Sequence, residues 1–371
     1  MKALAAVADN ATGPFRMERL ELEAPRADEI RVRIAGVGLC HTDLVFKAGA
    51  AGYPLPAVLG HEGSGIVEAV GASVTKVAPG DAVVMTFRSC GTCDRCVAGH
   101  PAYCRIMPAL NYTGSRPDGS CAFHAGSADV ASNFFGQSSF ASRTLTYERN
   151  VVKVAADLPL DILGPLGCGI QTGAGAVIRS LKAAKGSTIL ITGGGSVGLS
   201  AVMGAAICEC AVIVLVEPQE SRRRLALALG ATHVIDPATC SDIVAEVRGI
   251  SPFGMDYGLD TTGIPAIQSA ALASLGSMGE LGLLGVSAPG TVLPGDVNGV
   301  MTFGQSVRGI IEGDSDPDVF IPELIDHFRA GRLPFDRMIK TYPLSRINEA
   351  IADQHSGICV KPVLIPDIVS S

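Results

Sequence analysis

Gly193-Gly194-Gly195-Ser196-Val197-Gly198 directly follows the apolar run Thr188-Ile-Leu-Ile-Thr192 and opens a second apolar stretch. A G-x-G-x-x-G pattern alone is weak, but set between a strand and a helix it is a dinucleotide fingerprint. Gly193 makes the tight turn, Gly195 lets a pyrophosphate approach the backbone, and Gly198 lets helix pack on strand. Ser196 and Val197 then open the helix, whose first backbone N–H groups and positive dipole end suit phosphate. No charge occurs in the 22 residues from Ser187 to Cys208. That length could span a bilayer. The glycine turn breaks it into strand and helix, and burial between layers accounts for the missing charge.

From about Gly169 apolar strands alternate with helical stretches. The strands are Thr188–Thr192, Ala211–Val216, His233–Ile235, Tyr257–Asp260 and Gly279–Gly285; Ser221–Leu229 and Ala266–Leu275 read as helices. Such alternation predicts a doubly wound parallel sheet. Glu217 ends the second strand, where a carboxylate bonds a ribose 2′-hydroxyl and repels a 2′-phosphate. NAD is therefore expected over NADP. Arg222 and Arg223 leave the other choice open, since either could pair with a phosphate.

Residues 1 to about 160 read differently. Glu29-Ile-Arg-Val-Arg-Ile, Gly65-Ile-Val-Glu-Ala-Val and Asp81-Ala-Val-Val-Met are short strands punctuated by Gly and Pro. Asn111 to Ser139 reads as a loop. After Gly313 a helix (Val319–Ala330) and a strand (Val360–Ile365) are expected to return to this first domain. With 371 residues, about two domains are expected.

Cys90-Gly-Thr-Cys93-Asp-Arg-Cys96 is followed by Cys104. Adjacent C-x-x-C steps strain a disulfide but suit a tetrahedral ion, and four thiolates make a closed structural zinc set. Three further residues lie on glycine-flanked turns: Cys40, His61 and Cys168. Singly, each reads as a buried thiol or a satisfied histidine. Together they make Cys₂His with an open fourth position, a catalytic zinc set. The cysteine total is odd at 11, six fall into these patterns, and the N-terminus does not read as a secretory leader. A reducing cytoplasm fits. Net charge is −7 with no basic run, so nucleic acid and anionic membranes are not expected partners.

These words together resemble the zinc-containing medium-chain alcohol dehydrogenases over essentially the whole chain, the aryl-alcohol (benzyl alcohol) branch most. They are Leu39-Cys-His-Thr-Asp-Leu44, Pro56-Ala-Val-Leu-Gly-His-Glu-Gly-Ser-Gly65, Gln137-Ser-Ser-Phe-Ala141, Gly164–Gly175 and Phe320-Ile-Pro-Glu-Leu324. The resemblance implies a GroES-like catalytic domain with a structural zinc lobe (1–162), an NAD-binding Rossmann domain (163–311) and a return to the catalytic domain (312–371). It implies two zinc ions per chain. Cys40, His61 and Cys168 would hold the catalytic one, Glu62 would reach it transiently, and Asp43 would fix the tautomer of His61. Cys90, Cys93, Cys96 and Cys104 would hold the structural one. Thr42 would bond the substrate oxygen and His41 the pyrophosphate. Thr172 would lie near the nicotinamide, Arg222 near the adenosine ribose and Lys361 near a phosphate. Phe87, Phe134 and Phe135 would line the substrate pocket.

The reaction implied is reversible oxidation of an aryl or allylic primary alcohol to the aldehyde. Liver-type enzymes pass the proton onward through a histidine; Val45 stands there in this chain, so His41 or water is expected to carry it. Terpene-alcohol (geraniol-type) and glutathione-dependent formaldehyde dehydrogenases are the rival enzymes, and a non-catalytic NAD- or zinc-binding interaction protein is the rival of another class. The resemblance also implies a homodimer or homotetramer, with the poorly charged segment Gly279–Val300 in its contacts.

Overall fold

The computed structural model describes residues 1–367. Packing divides the chain into two units. One takes Met1–Cys168, Asp316–Pro322 and the chain from Met338 onward; the other takes Gly169–Ser315 and Glu323–Arg337. These divisions differ from the sequence boundaries at 162/163 and 311/312. Gly164–Cys168 stays with the first unit because Thr86 Oγ1 donates to the Gly167 carbonyl at 2.7 Å. Glu323–Arg337 stays with the second, where Arg179 pairs with Glu323 and Arg337 donates to the Ala228 carbonyl at 2.9 Å. The return to the first unit is thus made in two pieces.

The second unit holds a six-stranded, wholly parallel sheet. Its spatial order is His233–Ile235, Val212–Val216, Thr188–Thr192, Met255–Asp260, Leu275–Leu283, Ser306–Gly309. Numbered along the chain this is 3-2-1-4-5-6, the doubly wound order in which ligands bind beyond the carboxyl ends at the reversal point. The glycine turn follows the strand at that point, so the α/β expectation holds. The uncharged run divides as expected, into Thr188–Thr192 and the 12-residue helix Ser196–Ile207. No helix among the described residues is long and apolar enough to cross a membrane.

The first unit is built on two largely antiparallel sheets. Glu29–Gly38 is the spine of the larger one, and its alternating Ile30, Val32 and Ile34 are all buried. It pairs with Gly63–Val70, with Arg143–Tyr147 and, at its last residues, with Lys361–Ile365 through Gly38↔Val363. The expected loop at 111–139 is in part a hairpin. Phe123–Ala125 and Ala128–Val130 pair with each other, and the first pairs with the strand Phe15–Leu22 through Leu22↔Phe123. Two three-residue strands around Gly126 are too short to show a period in the sequence. Phe123, Phe134 and Phe140 lie fully buried in this unit's core, each worth about 1.5–3 kcal/mol of transfer free energy.

Candidate active site

Cys40 ends the spine strand's connection and caps the helix His41–Lys47. Asp43, three residues on, turns its carboxylate back to the Cys40 amide (2.9 Å), the carboxylate half of a capping box. The other oxygen of Asp43 accepts from the Gly60 amide (3.1 Å) and from Nδ1 of His61 (2.8 Å). Asp43 and His61 are both fully buried. A carboxylate only accepts here, so Nδ1 carries the proton and Nε2 is the free end of the ring. Nε2 is buried with no hydrogen-bond partner.

That orphaned nitrogen faces its expected company. Donor atoms of Cys40, His61, Glu62 and Cys168 all lie within 4.8 Å of one another. A hydrogen bond from Cys168 first, then the charge of the His61 ring, holds the Cys40 thiol well below its usual range, against the effect of burial. Burial works against protonation of His61, but Asp43 outweighs it and raises the ring well above its usual basicity. Two sulfurs and an imidazole oriented by a carboxylate, their donor atoms gathered this closely, are the donor chemistry of a zinc site. The residues fit the ion.

Glu62 and Lys361 form a fully buried pair at 2.5 Å, and Lys361 also donates to the Leu39 carbonyl at 3.1 Å. Burial pushes the Glu62 carboxyl up, with the Lys361 ammonium opposing it. A buried ammonium needs a counter-charge, and Glu62 supplies it. A Cβ on Gly38 would stand 2.0 Å from a Glu62 oxygen, so only glycine leaves room there.

The second cluster is Cys90, Cys93, Cys96 and Cys104. Sulfur separations of 3.9 Å (Cys90–Cys96) and 3.5 Å (Cys93–Cys96) match the edge of a tetrahedron with ~2.3 Å metal–sulfur bonds. They are far beyond the ~2.05 Å of a disulfide. Backbone N–H groups point at the sulfurs: Thr92 and Cys93 at Cys90, Cys90 at Cys104, and Arg105 at Cys93. Burial raises the Cys90 thiol, but these amides outweigh it and hold it at about 6.

In the second unit Gly193 has φ +92, the left-handed turn, and a Cβ on Gly198 would meet the Gly193 carbonyl at 1.8 Å. A Cβ on Gly195 would meet nothing within 4 Å, so open space lies where a pyrophosphate would approach. Ser196 and Val197 begin the helix beyond it. Glu217 is buried at the end of its strand, its carboxylate accepting from the amides of Gly194 (2.6 Å) and Gln219 (2.9 Å). Arg223 pairs with Asp236 at 2.9 Å; Arg222 is half-buried on the same helix. Thr172 bonds Glu312 at 3.4 Å. His41 is exposed and Thr42 and Val45 are half-buried in the helix after Cys40.

Phe87, Phe134 and Phe135 are all buried side chains. Their exposures are 2%, 0% and 4%. Phe134 and Phe135 pack on the His61 ring, and the backbone is left-handed at Asn133, Phe135 and Ser138.

Sequence reasoning missed the role of Gln137, though its word was noted. Its amide donates to the carbonyls of His61 (2.8 Å) and Thr86 (3.2 Å) and accepts from the Gly63 amide (3.1 Å). Glu312 was missed as well; it also accepts from Gln171 at 3.0 Å, and no sequence signal marked it.

A dinucleotide turn and a thiolate–imidazole cluster in one chain define a class, the metal-using dehydrogenases. The sequence pattern of the alcohol dehydrogenase GroES-like domain matches residues 26–156, and that of the zinc-binding dehydrogenases matches 196–328. The chain is 46% identical to a geraniol dehydrogenase of Castellaniella defragrans, over 98% of each. A solved alcohol dehydrogenase zinc-binding domain protein from Burkholderia ambifaria superposes with a TM-score of 0.96 at 48% identity, covering 98% of this chain and 99% of that one. Benzyl alcohol dehydrogenase of Acinetobacter calcoaceticus superposes at 0.95 with 41% identity, covering 99% and 100%. The chain belongs to the zinc-containing medium-chain alcohol dehydrogenase family.

Proposed function

We propose that this chain oxidises primary alcohols whose CH₂OH group is attached to an sp² carbon, aryl or allylic, with NAD as hydride acceptor. The observation that carries the reading is the orphaned Nε2 of His61 among the sulfurs of Cys40 and Cys168. Two relatives support the substrate class: benzyl alcohol is a benzylic and geraniol an allylic primary alcohol. Each places the carbinol beside a π system on a largely apolar body.

Cys40, His61 and Cys168 would hold a catalytic zinc, with Glu62 within reach, and the four-cysteine lobe a structural one, two per chain. A zinc ion so held supplies a Lewis acid that makes an alcohol hydroxyl acidic near neutrality. The chain's residues do the rest. Asp43 keeps the His61 proton on Nδ1. Thr42 takes the alcohol proton through its hydroxyl and hands it on, and His41, exposed one residue earlier, passes it to solvent. Overall, one hydride leaves the carbinol carbon for the nicotinamide ring, one proton leaves the oxygen, and an aldehyde is released. Glu217 supports NAD over NADP, because a buried carboxylate repels a 2′-phosphate.

Val286, Val292, Leu293, Val297 and Met301 are each more than 70% exposed. So apolar a stretch supports a homo-oligomer, dimer or tetramer, that covers it.

The test is cofactor reduction with benzyl alcohol, geraniol, ethanol and the formaldehyde–glutathione adduct, each with NAD and NADP. Turnover of benzyl alcohol and geraniol well above ethanol, with NAD, is the expected result. Activity confined to the glutathione adduct, or to NADP, would overturn the substrate or cofactor reading respectively.

A further inference from the structure

The segment 133–140 is wrapped around the metal-ligand turn 59–63. Its main chain donates to that turn twice, Phe140 N to the Leu59 carbonyl and Ser139 N to the Gly60 carbonyl, both at 2.9 Å. Gln137 grips the next residues, bonding the His61 carbonyl and the Gly63 amide. Ser138 Oγ reaches the Val58 carbonyl at 2.7 Å. The main chain around the imidazole is therefore tied on both sides.

The ring itself is held by carbon. Phe135 stacks on it at 4.4 Å with 24° between planes, and Phe134 meets it edge-on at 5.5 Å and 88°. Behind Phe135 stands Tyr112, ring to ring at 5.3 Å. The Phe135 backbone reaches this place at φ +51, a region a side-chain-bearing residue seldom occupies, and Asn150 anchors its carbonyl at 2.8 Å. Strained backbone of this kind persists where surrounding structure enforces it, and it concentrates at functional sites.

Asp43 fixes where the His61 ring is protonated, but a single hydrogen bond leaves the ring free to rock about it. We infer that Phe135 is a positioning residue that fixes the plane of the His61 imidazole, so that Nε2 is aimed before the metal arrives. The inference rests on the proposed zinc role of Cys40, His61 and Cys168. Its consequence is slow metal loss from that site and an unchanged four-cysteine lobe.

The test compares wild type with Phe135→Leu, which keeps apolar volume but removes the stacked face, and Phe135→Tyr, which keeps the face. Zinc release to a metallochromic chelator is timed, and visible spectra are recorded with cobalt in the sites. In F135L one of two ions should leave about 10-fold faster or more, as when a partner orienting a metal ligand is lost, with shifted cobalt bands. F135Y should restore both readouts. Where F135L does not fold, Phe135→Met serves in its place. F135L releasing both ions at the wild-type rate, or F135L and F135Y losing metal alike, would overturn the inference. A wild-type protein that binds only one zinc would instead remove the zinc reading, and this inference with it.

Discussion

Asp43→Asn tests how much the His61 site depends on one buried carboxylate. Three N–H groups converge on it: His61 Nδ1 at 2.8 Å, Cys40 N at 2.9 Å and Gly60 N at 3.1 Å. An asparagine has a single carbonyl oxygen. Turned toward His61 and Gly60, it sets its NH₂ against the Cys40 amide; turned the other way, it sets the NH₂ against Nδ1. Either way at least one buried donor loses its acceptor, at about 1–3 kcal/mol. The surviving bond to His61 loses its charge assistance, about 1 kcal/mol more. The sum is about 2–4 kcal/mol. Where that loss falls on the loaded site, zinc affinity drops about 10–100-fold. The assay is thermal unfolding of loaded and metal-stripped protein, together with zinc retention against a competing chelator. D43N protein that melts within about 0.5 kcal/mol of wild type, and holds both ions equally well, would refute the reasoning.

Other outcomes follow from the same geometry. Gly195→Val adds a side chain into open space, so melting should be unchanged while NAD binding weakens by at least about 1.4 kcal/mol, tenfold; a matched loss of stability would show that the space is structural. Cys104→Ser should leave one zinc per chain by metal analysis and lower the melting temperature; two retained ions would reassign the lobe. Burial alone raises the Glu23 carboxyl, but bonds from Arg116 and His124 outweigh it and hold it below its usual range. Its stabilisation is therefore present above the ordinary range of about 4.3 and is lost as pH falls through the lower folded value. The melting difference between wild type and Glu23→Gln should be largest at neutral pH and vanish in acid; a difference that grows in acid would contradict the sign.

The sequence was readable where chemistry or period is local. Cysteines three apart, glycines on a strand-to-helix turn, and Val-rich strands ending in Glu217 need no distant partner to be understood. Where a residue's role is set by something far along the chain, it was not. Gln137 grips His61 across 76 positions, and nothing near either residue announces it. Lys361 and Glu62 form a buried pair although they stand near opposite ends of the sequence, so the pair leaves no local mark. The left-handed backbone at Phe135, and its stacking on His61, leave no mark in composition. The strands Lys2–Ala8 and Phe15–Leu22 were passed over too. The first is buried on both faces for most of its length and so lacks alternation.

The pairing of Lys361–Ile365 with the end of the Glu29–Gly38 spine sets an order of events during synthesis. Leu39 and Lys361 meet across 322 positions. The six-stranded unit between them needs only neighbouring stretches and, apart from Glu323–Arg337, is complete in the nascent chain by Ser315. The unit bearing both cysteine clusters has its first 168 residues made early but cannot close its larger sheet, or neutralise Glu62, until Lys361–Ile365 emerges. Contacts so distant form slowly, and domains fold as they are completed. The half made first is thus the half finished last, with its thiols open to solvent or a passing metal ion in the interval.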